Sequence, residues 1–146
     1  MSAPPWFPPG LPFCWAALWA CFCFVISRGG WHAFAMRYPA PDRPPGRMYF
    51  PLNTSFSMLG HYGGGVRVIF ADEGGRFSIM FVFRAFHPPF LVPCESVKEI
   101  KKKRFLFRTR YVLKIRDAAG GIDVILPVSI EKEFYRFEEK GLTPAR

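Results

Sequence analysis

The sequence predicts a mainly β (α+β) fold: an N-terminal transmembrane helix, a small antiparallel β-sandwich or barrel, and a C-terminal amphipathic helix. The first reason is charge, because no Asp, Glu, Lys or Arg precedes Arg28 and residues 11–27 are almost wholly apolar. The second is period, because beyond residue 47 apolar side chains recur at every second position between turn-forming stretches. The third is composition. The 15 Pro and 13 Gly among 146 residues argue against a helical bundle, and 50% hydrophobic residues can form a core.

The expected organisation has three parts. Residues 1–37 form a membrane anchor segment, residues 38–47 a linker, and residues 48–146 a β domain. Four prolines and a glycine within residues 38–47 favour a stiff, extended connector. The chain length suits one domain with one appended segment.

The anchor prediction depends on the length of the apolar stretch. Residues 11–27 would extend about 25 Å as a helix, slightly less than the ~30 Å hydrocarbon core of a bilayer. A cleaved signal peptide is an alternative, because Ala33-Phe34-Ala35 has the form of a cleavage site. Against it, no basic segment precedes the apolar stretch, and Arg28 intervenes. A buried core helix is a second alternative, whereas an interfacial helix is disfavoured because the stretch has no polar face.

Basic residues predict the orientation of the anchor. No Lys or Arg precedes the apolar stretch, whereas Arg28, Arg37, Arg43 and Arg47 follow it. The positive-inside rule then places the N-terminus outside the inner (plasma) membrane and the β domain in the cytoplasm.

Six stretches with strand character follow the linker. In order, they cover residues 48–60 (one strand or two, broken near 53–55), 65–71, 76–84, 90–93, 104–116 and 122–128. Residues 72–75 predict a hairpin turn, residues 95–100 a helical turn, and residues 117–121 a second glycine turn. The expected total is six or seven antiparallel strands.

A long basic strand and a C-terminal helix complete the predicted β domain. Residues 104–116 alternate without interruption, which predicts one long strand, either straight or bent in the middle. A helix is expected to begin at Ser129 and to end near Gly141, with Ile130, Phe134 and Phe137 on the face that plugs the open end of the sheet.

The order of elements from Val66 to Phe137 resembles bacterial pleckstrin-homology-like (GRAM-like) domains. The likeness rests on the strand–turn–strand at residues 66–81 and on residues 90–100, a short apolar strand with the pattern P-x-x-x-V-x-x-I. A basic strand, a glycine turn, a strand and a helix then follow. The chain is also similar to small uncharacterised bacterial single-pass membrane proteins, through Gly30-Trp31 and residues 37–41. The resemblance implies an architecture and no chemistry.

No catalytic or metal-binding constellation is present in the sequence. His32, His61 and His87 are far apart and suit surface or turn positions. Residues 60–65 are glycine-rich but lack the Lys-Ser/Thr of a phosphate-binding loop, and no nucleophile elbow occurs. The four cysteines have no zinc-binding spacing. We therefore expect no enzymatic activity, no cofactor and no metal.

The basic stretch at residues 98–116 is the candidate site, with nine basic residues and one acid, Glu99. Alternation along one strand would place Arg104, Arg108 and Arg110 on a common face. The predicted anionic-surface-binding residues are Lys101, Lys102, Lys103, Arg104, Arg108, Arg110, Lys114 and Arg116. The alternative is a solvated face that prevents edge-to-edge strand pairing.

The predicted function is that of a membrane-tethered binding module that contacts anionic lipid headgroups or an acidic partner protein. Nucleic-acid binding is an alternative, but Phe105, Phe107 and Tyr111 are expected on the face opposite the arginines, where they cannot stack on bases. A further alternative is a subunit of a membrane complex with no lipid role.

Overall fold

A computed structural model describes residues 8–40, 42–56, 61–118 and 120–130 of the protein. Within them, two helices precede seven strands. The helices are α1 (Leu11–Arg28) and α2 (Trp31–Arg37). The strands are β1 (Arg47–Phe56), β2 (His61–Ala71), β3 (Gly74–Ile79), β4 (Phe90–Pro93), β5 (Val97–Phe105), β6 (Arg108–Asp117) and β7 (Gly120–Pro127). Single 3-10 turns cover Phe81–Phe83, Cys94–Ser96 and Val128–Ile130.

The described strands form one antiparallel sheet in the order β4-β3-β2-β1-β7-β6-β5. The sheet curls into a half-barrel, which confirms a mainly β, antiparallel architecture. β1 joins the two halves by pairing with both β2 and β7. It is a single strand whose register shifts between Tyr49 and Thr54, slightly before the predicted break. Pro51 lies within this irregular part, where the missing amide hydrogen interrupts the ladder.

The prediction of one long strand over residues 104–116 is wrong, because a turn at Leu106 and Phe107 separates β5 from β6. The alternating pattern of the sequence runs through the turn, although the pairing of Phe105 with Arg108 exchanges the faces of odd- and even-numbered residues between β5 and β6. Leu106 adopts a φ of 52°, a conformation usually supplied by Gly or Asn in such turns. The predicted helical turn at residues 95–100 is limited to the 3-10 turn Cys94–Ser96.

β3 ends at Ile79, five residues earlier than predicted. Phe77 and Ile79 are buried as expected, whereas Phe81 is 83% exposed. The last pairing with β2 joins Ile79 to Val66, and Met80 then donates its amide to Gly65. Residues 81–86, which we call the 81–86 loop, leave the sheet and extend along α1.

The hydrophobic core lies on the concave face of the sheet, where α2 fills the open side. Trp31 and Phe34 are 0% and 1% exposed, and their rings lie 4.9 and 5.7 Å from the ring of Phe90. The Trp31 Nε1 donates to the carbonyl of Pro88 at 2.8 Å. The sequence assigned this plugging role to a C-terminal helix carrying Phe134 and Phe137, which lie outside the described residues.

Arg37 and Tyr38 precede the predicted start of the β domain at residue 48, yet both contact the sheet. Arg37 lies 3.1 Å from Asp117, and the Tyr38 hydroxyl also donates to Asp117. The hydrogen bond from Tyr38, assisted by Arg37, holds the pKa of the Asp117 carboxyl below its ordinary value. Leu91 donates its amide to the carbonyl of Tyr38, so this segment borders the edge of β4.

Gly30 connects the two helices. Its φ is 139°, a value that L side chains rarely adopt. A Cβ at this position would lie 2.7 Å from the Cβ of Phe56. The chain can therefore turn from α1 into α2 here only because the residue is glycine.

α1 is long and apolar enough to cross a membrane, judged by length and composition. Its 18 residues have a mean hydropathy of 1.6, and only 11% of them are buried. Cys23 and Ser27 are its buried residues, both in the half that adjoins the sheet. The remaining side chains of α1 offer a mainly apolar exposed surface.

We expect Trp31→Ala to lower the free energy of unfolding by about 3–5 kcal/mol, because it removes a fully buried indole from the concave face. The matched control is Met36→Ala on the same helix, at a side chain that is 70% exposed. The control should change stability by less than about 0.5 kcal/mol. Urea denaturation of the full chain in detergent, followed by circular dichroism, measures both. Equal effects of the two substitutions would contradict the packing described for α2.

Candidate functional site: the tip of the β5–β6 hairpin

The β5–β6 turn exposes two large apolar side chains. Leu106 is 77% exposed and Phe107 is 96% exposed. Leu106 also has a positive φ, which is uncommon for a bulky residue and costs roughly 1 kcal/mol or more. The tip therefore combines exposed apolar surface with backbone strain, two features that protein surfaces usually avoid together.

The pairing of β5 with β6 determines the face of each predicted site residue, because directly opposite residues share a face. Tyr111 faces the core, and its partner is Lys102. Arg104 pairs with Thr109 on the same side, so the expectation that Arg104 shares a face with Arg108 and Arg110 is wrong. The outer face carries Lys101, Lys103, Arg108, Arg110, Lys114 and Arg116.

Acidic neighbours engage the cations that lie farther from the turn. Glu99 lies 3.0 Å from Lys101 and 3.8 Å from Lys114. Asp123 lies 2.8 Å from Arg116. Three of the eight predicted site residues thus have local counter-charges.

The remaining five cations surround the turn. Among residues 8–40, 42–56, 61–118 and 120–130, no acidic side chain lies within ion-pair distance of them. They are Lys102, Lys103, Arg104, Arg108 and Arg110. Together with Leu106 and Phe107 we call them the hairpin tip. The Lys102 Nζ lies 5.8 Å from the centre of the Tyr111 ring, a cation–π distance that leaves its charge uncompensated.

A groove of about 750 Å³ adjoins the hairpin tip. It lies where β1 begins, β6 begins and β7 ends, and its lining includes Arg47, Arg108 and Arg110 together with Phe50 and Pro127. Guanidinium groups present several N–H donors in a planar fork that matches a carboxylate or a phosphate. Three of them beside apolar side chains can hold an anionic group that also carries apolar surface.

The hairpin tip and α1 lie at opposite ends of the sheet. Asp117, the last residue of β6, contacts Arg37 of α2, and Arg108 is the first residue of the same strand. A strand rises about 3.3 Å per residue, so roughly 30 Å of β6 separates the two ends. The cationic tip is therefore presented away from the candidate membrane helix.

His87 was expected on the surface or in a turn, but its side chain is only 2% exposed. Its Nδ1 lies 3.0 Å from the Ala85 carbonyl and its Nε2 lies 2.9 Å from the Tyr62 hydroxyl. The Tyr62 hydroxyl also lies 3.2 Å from the carbonyl of Ile26, so this network connects α1 to the sheet. Burial lowers the pKa of His87 and raises the pKa of Tyr62.

Within the described residues, no group of three or more His, Cys, Asp or Glu side chains is arranged to hold a metal ion. His61 is exposed, with its Nδ1 2.8 Å from the Ser55 hydroxyl. Sequence reasoning therefore found the cations of the hairpin tip but missed three contributors to the site, namely Leu106, Phe107 and Arg47. No local pattern marks Arg47, because its position beside β6 depends on the order of the strands.

We expect Leu106→Asn to raise the free energy of unfolding by about 0.5–1 kcal/mol, because Asn tolerates a positive φ that strains Leu. The control is Leu106→Ala, which shortens the side chain but retains the strain. Chemical denaturation of both variants measures the difference. An equal gain in the free energy of unfolding for Leu106→Asn and Leu106→Ala would assign the effect to the loss of exposed apolar surface and not to relief of backbone strain.

We expect the free energy of unfolding to fall as the pH drops from 7 to 5. Because the pKa of folded His87 lies below its ordinary value of 6.5, the unfolded chain binds a proton in this range that the folded chain does not. His87→Gln should flatten this slope, because it removes the group that titrates. Denaturation at several pH values measures the slope, and identical slopes for wild type and His87→Gln would contradict the expectation.

No protein-family model matches the chain, and no curated protein shows significant similarity to its sequence.

Proposed function

We propose that the protein is a membrane-anchored binding module in which α1 holds the chain in the membrane and the hairpin tip binds an acidic partner protein. The observation that carries the proposal is the grouping of five cations that lack an acidic neighbour among the described residues. They surround two exposed apolar side chains, beside a groove lined by three arginines. No reaction is part of this function.

The chemistry of the hairpin tip suits a protein surface. Arg and aromatic residues are the types most enriched among side chains that dominate protein–protein binding. Burying the Phe107 ring in a partner pocket would contribute about 1.5–3 kcal/mol. The surrounding cations would then meet carboxylates at the rim and accelerate the encounter.

The distance from the anchor favours a protein over the lipids of the bilayer that holds α1. About 30 Å of β6 lies between the helix end of the sheet and Arg108. Contact with that bilayer would require the sheet to lie flat on the membrane. Nucleic acid is disfavoured because Tyr111 is only 7% exposed and so offers no stacking surface beside Phe107.

The membrane placement completes the proposal. α1 crosses the inner (plasma) membrane once, with its N-terminus outside and the sheet in the cytoplasm; the basic residues that follow α1 support this orientation. The sheet is proposed to be a pleckstrin-homology-like (GRAM-like) domain. Seven antiparallel strands in one curled sheet support that assignment.

The test uses the full chain in phosphatidylcholine nanodiscs, with fluorescent poly-L-glutamate as the acidic probe. We expect salt-sensitive binding that the double variant Arg108→Glu, Arg110→Glu weakens about tenfold, since each exposed pair contributes up to about 1 kcal/mol. The matched control is Lys98→Glu, a charge reversal on an exposed side chain near the other end of the same hairpin. It should leave the affinity unchanged.

A second arm distinguishes protein from lipid. Vesicles containing phosphatidylserine are added to the same nanodiscs in place of poly-L-glutamate. Binding of these vesicles but not of poly-L-glutamate would replace the acidic protein with an anionic lipid surface. Equal losses of affinity for poly-L-glutamate in the double variant and in Lys98→Glu would refute the hairpin tip as the binding site.

A further inference from the structure

The 81–86 loop exposes apolar surface beside the candidate membrane helix. Phe81, Val82 and Phe86 are 83%, 53% and 49% exposed. Arg84 is the loop's one charged residue, and it too is exposed. Such a concentration of exposed apolar side chains is unusual on a protein surface that faces only water.

The loop is attached to the middle and second half of α1. The Trp19 Nε1 donates to the carbonyl of Val82 at 3.0 Å, and the Trp19 ring lies 5.1 Å from the ring of Phe83. Farther along α1, the rings of Phe24 and Phe86 meet edge to face at 5.5 Å. Phe86 adopts a φ of 64°, so the loop retains an uncommon backbone conformation where it meets α1.

These contacts determine how deep the loop must lie. At 1.5 Å per residue, residues 11–18, which precede Trp19, extend about 12 Å, far less than the ~30 Å hydrocarbon core. If α1 crosses the bilayer with this packing, the loop enters the hydrocarbon together with Trp19. If only residues 11–18 are inserted, the loop lies at the interface. Lipid contacts the loop in both arrangements.

The backbone of the loop is suited to a medium with little water. Phe83 donates its amide to Met80, Arg84 donates to Phe81, and His87 donates to Arg84, each within the loop or its ends. The carbonyl of Val82 accepts from Trp19. Internal hydrogen bonds of this kind reduce the cost of placing a non-helical segment against lipid.

We propose that the 81–86 loop is a second membrane-contacting element whose partner is the phospholipid bilayer that holds α1. Phe81, Val82 and Phe86 contact the acyl region, while Arg84 and Arg28 extend to the phosphates. The Arg28 guanidinium lies 4.9 Å from the centre of the Phe24 ring, next to the loop. The inference rests on the proposed membrane role of α1 and is independent of the hairpin tip.

Photo-crosslinking of the full chain in phosphatidylcholine vesicles tests this contact. p-Benzoylphenylalanine is placed singly at Phe13 on α1, at Phe81 in the loop, and at Phe107, which is more accessible than either but lies at the other end of the sheet. Phe13 and Phe107 are 77% and 96% exposed, so neither replacement should disturb the core. Val82 is the second loop position, in case the chain with a modified Phe81 does not fold. Mass spectrometry then quantifies lipid adducts.

We expect lipid adducts at Phe81 or Val82 with a yield comparable to that at Phe13, and only background at Phe107. Adducts at Phe13 but not in the loop would overturn the inference and leave α1 as the anchor. Adducts at neither Phe13 nor the loop would overturn both the inference and the anchor on which it rests. Crosslinks between two copies of the chain at Phe81, without lipid adducts, would reassign the loop to self-association.

Discussion

The architecture depends on the insertion of the Trp31 indole into the concave face of the sheet. Its ring lies 4.9 Å from Phe90, 5.5 Å from Tyr62 and 5.7 Å from Phe56, so β4, β2 and the joining strand β1 meet at one side chain. The indole N–H is satisfied by the carbonyl of Pro88, which removes the cost of burying it. A curled sheet of seven strands cannot cover its own open side. The seven-residue helix α2 covers it here by burying two large side chains, Trp31 and Phe34, against the sheet.

The two ends of the sheet differ in polarity because the charged side chains of the long strands are unevenly distributed between them. The end near α1 and α2 is aromatic and apolar, and its ion pair between Arg37 and Asp117 serves to attach α2. The opposite end carries the arginines of the groove and the exposed Phe107. The antiparallel ladder between them is a spacer of fixed length, so it separates what we propose to be a membrane-facing end from a partner-facing end.

The sequence predicted the β class and most strand positions, because alternation reports directly on which side chains can be buried. It could not reveal the turn at Leu106 and Phe107, since the alternating pattern of the sequence runs through these two residues and neither is a usual turn residue. It also could not reveal the role of α2, because seven residues give too short a periodic signal to distinguish a plug from the end of an anchor. The cations of the hairpin tip were evident from composition, whereas their grouping with Arg47 required the pairing of β1 with β7.

Gly30 has a consequence for how the domain searches for a partner. Gly30 packs against Phe56, and hydrogen bonds from Tyr62 to Ile26 and from Trp19 to Val82 also attach α1 to the β domain, so contacts on both sides of the joint restrain it. A domain on a flexible tether samples a wide cone of positions and loses that freedom when it binds. A domain held at a rigid joint explores mainly two dimensions, by lateral diffusion, with its tip at a nearly constant height above the lipid. Under the proposed function, such a domain would have less orientational entropy to lose on contact, and it would select partners whose acidic surface lies at that height.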